Sequence, residues 1–451
     1  MMSFSDDFIW GAASAAFQIE GATSEDGRGL SVWDMMCSKP GAIYQNQNAD
    51  IACDHYHGYK EDVRLMKEIG LKAYRLSLSW PRLLPSGTGK VNPAGLEFYN
   101  NLIDELLAND IVPFVTLFHW DFPLELYCRG GWLNPESPIW FKDYTSVAVE
   151  HFSDRIRNWI TLNEPQTFVG QGHQLGIHAP GEKYNLKEVL RIGHNVLLAH
   201  GRAVQVIREN AKLTPNIGYA PVGVINMPAS DSQADIDAAR RATFNIPSES
   251  CWNSAWWMDP VFLGQYPESG LKLYSGNLPK INSGDMGIIS TPVDFCGANI
   301  YHGTYTAADS CDNPLDVKPY EGSPLTAMEW PITPDGLYWG PKFLYERYKK
   351  PIYITENGMA NLDWPSLDGK VHDPQRIYFI SRYLSNLKKA HAEGIPVKGY
   401  FYWSLSDNFE WTFGYSKRFG LIYVDYRDQR RTLKDSAFWY KNIILSNGLN
   451  L

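Results

Sequence analysis

Eight short apolar runs, separated by longer amphipathic stretches, constrain the fold of this 451-residue chain more than any other feature. They read "FIWGAAS" (8–14), "KAYRLSLSW" (72–80), "IVPFVTLFHW" (111–120), "RNWITLNEP" (157–165), "NIGYAPV" (216–222), "DFCGANIY" (294–301), "PIYITENG" (351–358) and "VKGYFYWSLSD" (397–407). Near-continuous apolarity is the pattern of parallel strands covered on both faces. Between them lie helices with clear boundaries. Asn92 and Pro93 open one whose apolar face is predicted to be Leu96, Tyr99, Ile103, Leu106 and Leu107. Asp373 and Pro374 open another, with Ile377, Ile380, Leu384 and Leu387 as its stripe and Gly394 as its stop. No Pro/Gly/Ser linker interrupts the alternation, so residues 1–451 are expected to form a single (β/α)₈ TIM barrel. A doubly wound sheet usually has fewer strands, and no GxGxxG follows the first run.

In such a barrel the chemistry sits at the C-terminal ends of the strands, which makes polar residues there candidates for a site. Gln18 and Glu20 follow the first run, Arg75 lies in the second, and His119 and Trp120 end the third. Asn163 and Glu164 end the fourth, Asn299 and Tyr301 the sixth, Glu356 and Asn357 the seventh, and Trp403, Ser404 and Asp407 the eighth. A single polar strand end is usually a cap; seven on one rim form a pattern. Glu164 and Glu356 stand on strands that face each other across the mouth. Two carboxyls flanking one bond suffice for glycoside hydrolysis. Arg75 and the Tyr301 hydroxyl, placed beside Glu356, would favour its charged form and suit it to attack. Glu164, beside a neutral amide and under apolar walls, would keep a raised pKa and serve as acid and then base.

Composition narrows the ligand. The net charge of −9 leaves no basic face for nucleic acid or an anionic membrane. No segment has the ~18 consecutive apolar residues of a membrane span. The first residues lack a basic stretch followed by a long apolar one, so a cytoplasmic location is expected. Six scattered cysteines without a CxxC pair read as reduced thiols. Sixteen tryptophans are many for this length, and Trp120, Trp330, Trp403 and Trp411 fall at strand tips or in loops, where indole rings pack on sugar faces. Trp10, Trp80 and Trp159 read as core.

The motifs "FQIEG", "LFHWDFP", "TLNEP", "ITENG" and "DNFEW", in this order, resemble those of glycoside hydrolase family one, the β-glucosidase family, and the resemblance runs from about Phe8 to Tyr440. It implies Glu164 as acid/base and Glu356 as nucleophile, in agreement with the charge argument. It also implies that Gln18, His119, Asn163, Trp403, Glu410 and Trp411 hold the innermost sugar. Arg75 and Tyr301 would support the nucleophile, with Asn299 beside them, Phe419 lining the pocket and Trp330 walling the leaving-group site. The family retains configuration and uses no metal or cofactor; retention requires carboxyls about 5–5.5 Å apart.

The expected reaction is exo-acting hydrolysis of a terminal β-D-glucosyl residue from cellobiose or an aryl or alkyl glucoside. β-Galactosidase or β-fucosidase side activity and transfer to another sugar are further expectations. The small glycoside is the one partner implied; a homo-oligomer is left open. One alternative is a 6-phospho-β-glycosidase, but members of that branch resemble one another in replacing the acid at Glu410 with Ser, and a carboxylate there repels phosphate. Lys417 and Arg418 then read as surface or supporting charges. The other is a sugar-binding homologue without catalysis, which loss of either carboxyl would signal. Leu162, Glu329, Gln166, Thr167 and Phe168 depart from common residues or lie near the site and leave the leaving-group preference open.

Other clusters weigh less. Cys53, His55 and His57 in "CDHYH" are zinc-binding types, but the run reads better as a helix start. His173 and His178 brace a Gly-rich loop, and "DSQADIDAARR" is a solvated helical face.

Overall fold

The computed structural model describes residues 3–451. All eight expected strands form: β1 (Ile9–Ala13), β2 (Ala73–Ser77), β3 (Val112–Phe118), β4 (Asn158–Asn163), β5 (Asn216–Ala220), β6 (Phe295–Asn299), β7 (Ile352–Asn357) and β8 (Val397–Trp403). Each pairs in parallel with its sequence neighbours, and β8 closes on β1 through Ile9 opposite Gly399 to Ala13 opposite Trp403. The fold is a (β/α)₈ barrel. Helices such as Pro93–Ala108, Ser137–Phe152, Leu186–Asn210 and Pro374–Ala392 cover its outside.

Large rings and missing side chains fill the lower interior. Phe114, Phe295, Tyr353 and Phe401 meet there, with Phe114 and Phe401 centroids 4.9 Å apart and Phe295 and Tyr353 4.7 Å apart. A Cβ on Gly218 would lie 2.1 Å from the Phe295 ring, so that strand must be bare for the ring to fit. The filled interior leaves space only at the top.

The strands that carry the two glutamates are irregular at their tips. The β4–β5 register shifts between Ile160 and Asn163. That of β7 shifts after Ile354 against both β6 and β8. Such breaks interrupt the alternation of side chains and re-aim the residues that follow. Gly358, directly after β7, is forced by contact: a Cβ there would lie 1.8 Å from the Trp403 carbonyl oxygen.

Two small sheets sit outside the barrel. One joins Ile225–Pro228, Gly303–Ala308 and Pro314–Val317 above β5 and β6; the other is the hairpin Ile422–Asp425 with Arg430–Leu433. Helix Pro93–Ala108 buries Gly95, Phe98, Tyr99, Leu102, Ile103 and Leu106, whereas Leu107 is 38% exposed. Its stripe is rotated toward Phe98 and Leu102, so the expected face was right in its centre and wrong at the Leu107 edge. Helix Pro374–Ala392 buries Ile380, Leu384 and Leu387 with Ile377 at the margin, and Gly394 follows at φ 90°. Trp10, Trp80 and Trp159 are buried, and all six cysteines are free. Among the described residues, no helix is long and apolar enough to cross a membrane.

The residues of "CDHYH" turn to separate partners at the start of helix His55–Ile69. The Cys53 thiol donates to the Asp407 carbonyl, His55 bonds Asp62, and His57 bonds Asp54. Among the described residues, no group of three His, Cys, Asp or Glu is placed to hold a metal ion.

Candidate active site

A cavity of about 410 Å³ opens at the C-terminal mouth of the barrel. Glu164 and Glu356 both line it, with His119, Asn299, Tyr301, Trp330, Trp403, Glu410, Trp411 and Phe419. Gln18, Arg75 and Asn163 lie just beneath, almost without exposure, and act on the cavity through hydrogen bonds. Not every polar strand end belongs to it. Glu20 is taken by Arg82 and Tyr99, Asn357 by Tyr400 and the Ile300 carbonyl, and Asp407 by Lys434 and Arg418. These three brace the barrel top.

The two glutamates have different neighbours. Oε1 of Glu356 accepts from Arg75 Nη1 at 2.6 Å, and Oε2 accepts from the Tyr301 hydroxyl at 2.7 Å. Burial raises the Glu356 carboxyl above its ordinary range, and Arg75 and then Tyr301 oppose that rise without cancelling it. Glu164 touches no cation. Its Oε1 accepts from Asn299 Nδ2 at 2.8 Å, and its Oε2 from the Thr167 hydroxyl at 2.9 Å. Burial, then the charge of Glu356, push it up to about 8. One carboxyl therefore has a cation to hold its charge, while the other keeps its proton at neutral pH.

A polar relay fixes the amides between them. Arg75 Nη2, always a donor, gives to Asn163 Oδ1 at 2.7 Å, and Asn163 Nδ2 must then face His119 Nε2, 3.0 Å away. Asn299 reaches the same Oδ1 at 2.9 Å and so must present its NH₂, which also donates to Glu164; its own oxygen accepts from Thr355. Burial and the nearby Arg75 hold His119 well below the usual histidine range, as a neutral ring.

Glu410 is pushed up to about 8, by burial and then by the charge of Glu356, with Gln18 opposing. Burial leaves Gln18 Oε1 and His119 Nδ1 without protein partners, although buried polar atoms nearly always have them. Above this polar floor stands an aromatic wall. Trp411 packs against Trp120 at 4.5 Å and Trp33 at 4.6 Å, and Trp330 meets Tyr301 edge-on at 5.3 Å. A flat ring with apolar faces and polar edges matches this combination. The backbone of Glu164, Trp120 and Trp411 is left-handed, at φ 47°, 78° and 48°. Such strain gathers at functional sites.

This chain's sequence from residue 1 to 449 matches the model of glycosyl hydrolase family 1. The chain belongs to glycosyl hydrolase family 1. Among family relatives, it is 46% identical to β-glucosidase A of Thermotoga maritima over 99% of this chain and 98% of that one. It is 43% identical to β-glucosidase A of Acetivibrio thermocellus over 99% of both. A solved β-glucosidase from T. maritima in complex with glucoimidazole superposes with a TM-score of 0.90 at 45% identity, covering 99% of this chain and all of that one. As a family 1 member this chain is a glycosidase.

Several lining residues escaped the sequence reading. Residues 166–174 form a π-helix after Pro165, a wide turn that brings to the cavity both Thr167, expected near the site, and Gln171, which was not. His178, expected only to brace a loop, lines the cavity beside Trp120; His173 instead bonds the Phe168 carbonyl. Val222, Val224 and Trp252 complete the outer wall. A π-helix has no strong sequence signature, and Trp252 lies far from any strand tip. Lys417 donates to the Ala327 carbonyl and Arg418 to Asp407, both as structural supports.

Proposed function

We propose that this family 1 glycosidase is a retaining, exo-acting β-glucosidase that releases terminal non-reducing β-D-glucose from cellobiose and from aryl or alkyl glucosides. The carrying observation is the asymmetry of the two glutamates in one cavity: Glu356 is bonded to Arg75 and Tyr301, and Glu164 is held near pKa 8 without a cation. Glu356 attacks the anomeric carbon while Glu164 protonates the departing glycosidic oxygen. The carboxylate becomes a glycosyl ester and the leaving group departs neutral. Water then attacks the same carbon, gives its proton to Glu164, and returns Glu356 to its charged form.

The innermost sugar is gripped by Gln18, His119, Asn163, Trp403, Glu410 and Trp411, with Phe419 beside it and Trp330 walling the leaving-group side. A 6-phosphorylated sugar is disfavoured because, among the described residues, no Lys or Arg lines the cavity to meet a phosphate, and Glu410, held near pKa 8, becomes repulsive to it on losing its proton. A non-catalytic sugar-binding role does not fit a site that keeps both carboxyls.

Initial rates of the wild type and of Glu356→Ala on an aryl β-D-glucoside and its 6-phosphate, with and without azide, test the reading. The wild type should prefer the free glucoside. The variant should lose about 10⁵-fold in kcat and regain part of it with azide, forming an α-glucosyl azide. Preference for the phosphate would overturn the substrate, and a β-azide product would mean that a covalent intermediate still forms and would overturn Glu356 as the nucleophile.

A further inference from the structure

Glu164 has two oxygens with unlike partners. Arg75, acting through Asn163 and Asn299, forces an amide N–H onto Oε1. That oxygen is a committed acceptor, so the exchangeable proton belongs on Oε2, which faces the Thr167 hydroxyl. Thr167 is held there twice: its backbone N–H donates to the Glu164 carbonyl at 2.9 Å, and the π-helix turns its side chain back toward the strand tip. It is 4% exposed and lines the cavity.

We propose that Thr167 is a positioning residue for the second half of the reaction, its hydroxyl holding Oε2 of Glu164 as the acceptor of the attacking water's proton. A hydroxyl bond to an ionised carboxylate is roughly twice as strong as one to its neutral acid. Thr167 therefore acts mostly when Glu164 is charged, which is the state needed after the leaving group has departed. In that step the water oxygen bonds to the anomeric carbon, its proton passes to Oε2, and the ester bond to Glu356 breaks with the electron pair returning to the carboxylate. The Thr167 bond is exchanged for the new O–H as the proton arrives.

The other titratable groups around Glu164 do not supply this function. Glu356 raises its proton affinity, Arg75 lowers it from beyond the amides, and Tyr301 is committed to Glu356. Glu410 is itself pushed up to about 8, and burial lowers His119, His178 and His302, leaving them neutral. Asn299 is the only other donor to the Glu164 carboxyl among the described residues, and it serves the opposite oxygen.

The inference rests on the proposed double displacement, and its test separates the two. With an activated aryl glucoside such as the 2,4-dinitrophenyl compound, Thr167→Val should lower kcat and KM together by about tenfold at neutral pH while kcat/KM stays within about twofold. Such a loss marks slowed breakdown of a glycosyl-enzyme. Azide, which needs no base, should restore kcat as glucosyl azide, and Thr167→Ser should restore both constants without azide. A fall in kcat/KM that azide does not relieve, or unchanged constants, would overturn the role. A second measurement does not require turnover. In protein labelled with [δ-¹³C]glutamate, the Glu164 resonance, assigned by its loss in Glu164→Gln, should titrate at higher pH in Thr167→Val than in the wild type or Thr167→Ser. An unchanged midpoint sinks the proposal even if the wild type proves inactive on glucosides. An inactive wild type with a raised midpoint would instead leave the Thr167 contact standing and remove the function. Thr167→Ala replaces the valine variant if the latter fails to fold.

Discussion

Two buried ionic clusters lie on either side of the segment that follows β8, and they are built on opposite plans. On the cavity side, Glu164, Glu356 and Glu410 share a single guanidinium, Arg75, which touches only Glu356 among them. On the far side, Asp363, Asp373 and Asp407 face Arg376, Arg418 and Lys434, three anions against three cations. Lys434 Nζ bonds Asp363 at 2.6 Å and Asp407 at 2.7 Å, Arg376 bonds Asp373 at 2.7 Å and also Asp363, and Arg418 bonds Asp407 at 2.7 Å. Burial pushes Asp363 up, yet Lys434 and Arg376 outweigh it and hold that carboxyl below its usual range. The buried carboxyls of these two clusters that contact one cation or none are pushed up instead: Glu164, Glu356 and Glu410 in the cavity, and Asp373, whose single ion pair is with Arg376. Whether a buried carboxyl becomes scaffold or reagent is decided here by how many cations it can reach.

The clusters also cooperate. Arg376 donates to the Phe419 carbonyl at 3.1 Å and to that of Arg418 at 3.2 Å, and Asp407 accepts from the Gly420 N–H at 3.0 Å. The balanced cluster thus fixes the returning end of the segment whose tip carries Glu410 and Trp411.

The comparison breaks most sharply at its extremes. Glu356→Gln in the cavity should all but abolish activity while its amide oxygen still accepts from Arg75, so thermal melts of variant and wild type should lie close together. Lys434→Met does the opposite. It strips a fully buried cation from two aspartates and should cost about 3–5 kcal/mol in urea unfolding. Equal stability would mean that the balanced cluster is not what holds the segment. Next in size is the pH effect on Glu164. Its proton, held to about pH 8, must be present for the first step, so kcat/KM for a poor leaving group should fall above that pH. In Glu164→Gln this alkaline limb should vanish and the rate drop about 10³-fold, the loss shrinking for activated aryl glucosides.

The smallest expected effect is on stability. Glu410 has a folded pKa near 8 and an ordinary value near 4.5, so the folded state binds its proton more tightly. A raised folded pKa gives stability that is fully present below about pH 4.5 and is lost as pH rises through about 8. Glu410→Gln should therefore flatten the decline in melting temperature between pH 5 and pH 8 while weakening sugar binding. An unchanged slope would show that Glu410 is already charged in the empty pocket.

The barrel was legible because parallel strands buried on both faces have no alternation to confuse; every run quoted from the sequence contains its strand. The carboxyls were legible because Glu164 and Glu356 end such runs. Arg75 and Tyr301 were expected beside Glu356 on chemical type, and their contacts are direct. What stayed hidden depends on geometry that residue types do not encode. The register breaks at β4 and β7 leave no mark in composition. The π-helix after Pro165 looks like any polar loop. Lys434 lies 71 residues from Asp363 and 27 from Asp407, so nothing local announces their union. Asp407 and Glu20 read as rim polarity because a strand end looks the same in sequence whether it faces a ligand or a buried arginine.

The filled interior beneath the cavity has a kinetic consequence. Phe114, Phe295, Tyr353 and Phe401 close the barrel below the polar floor, so whatever enters the mouth must leave by it. Traffic is then last in, first out. In the proposed double displacement the leaving group departs before the sugar bound to Glu356 can follow, and an acceptor that arrives in between meets an occupied dead end. A longer glucan cannot be threaded through and trimmed in successive steps: each cut requires the shortened chain to withdraw and a free end to enter again.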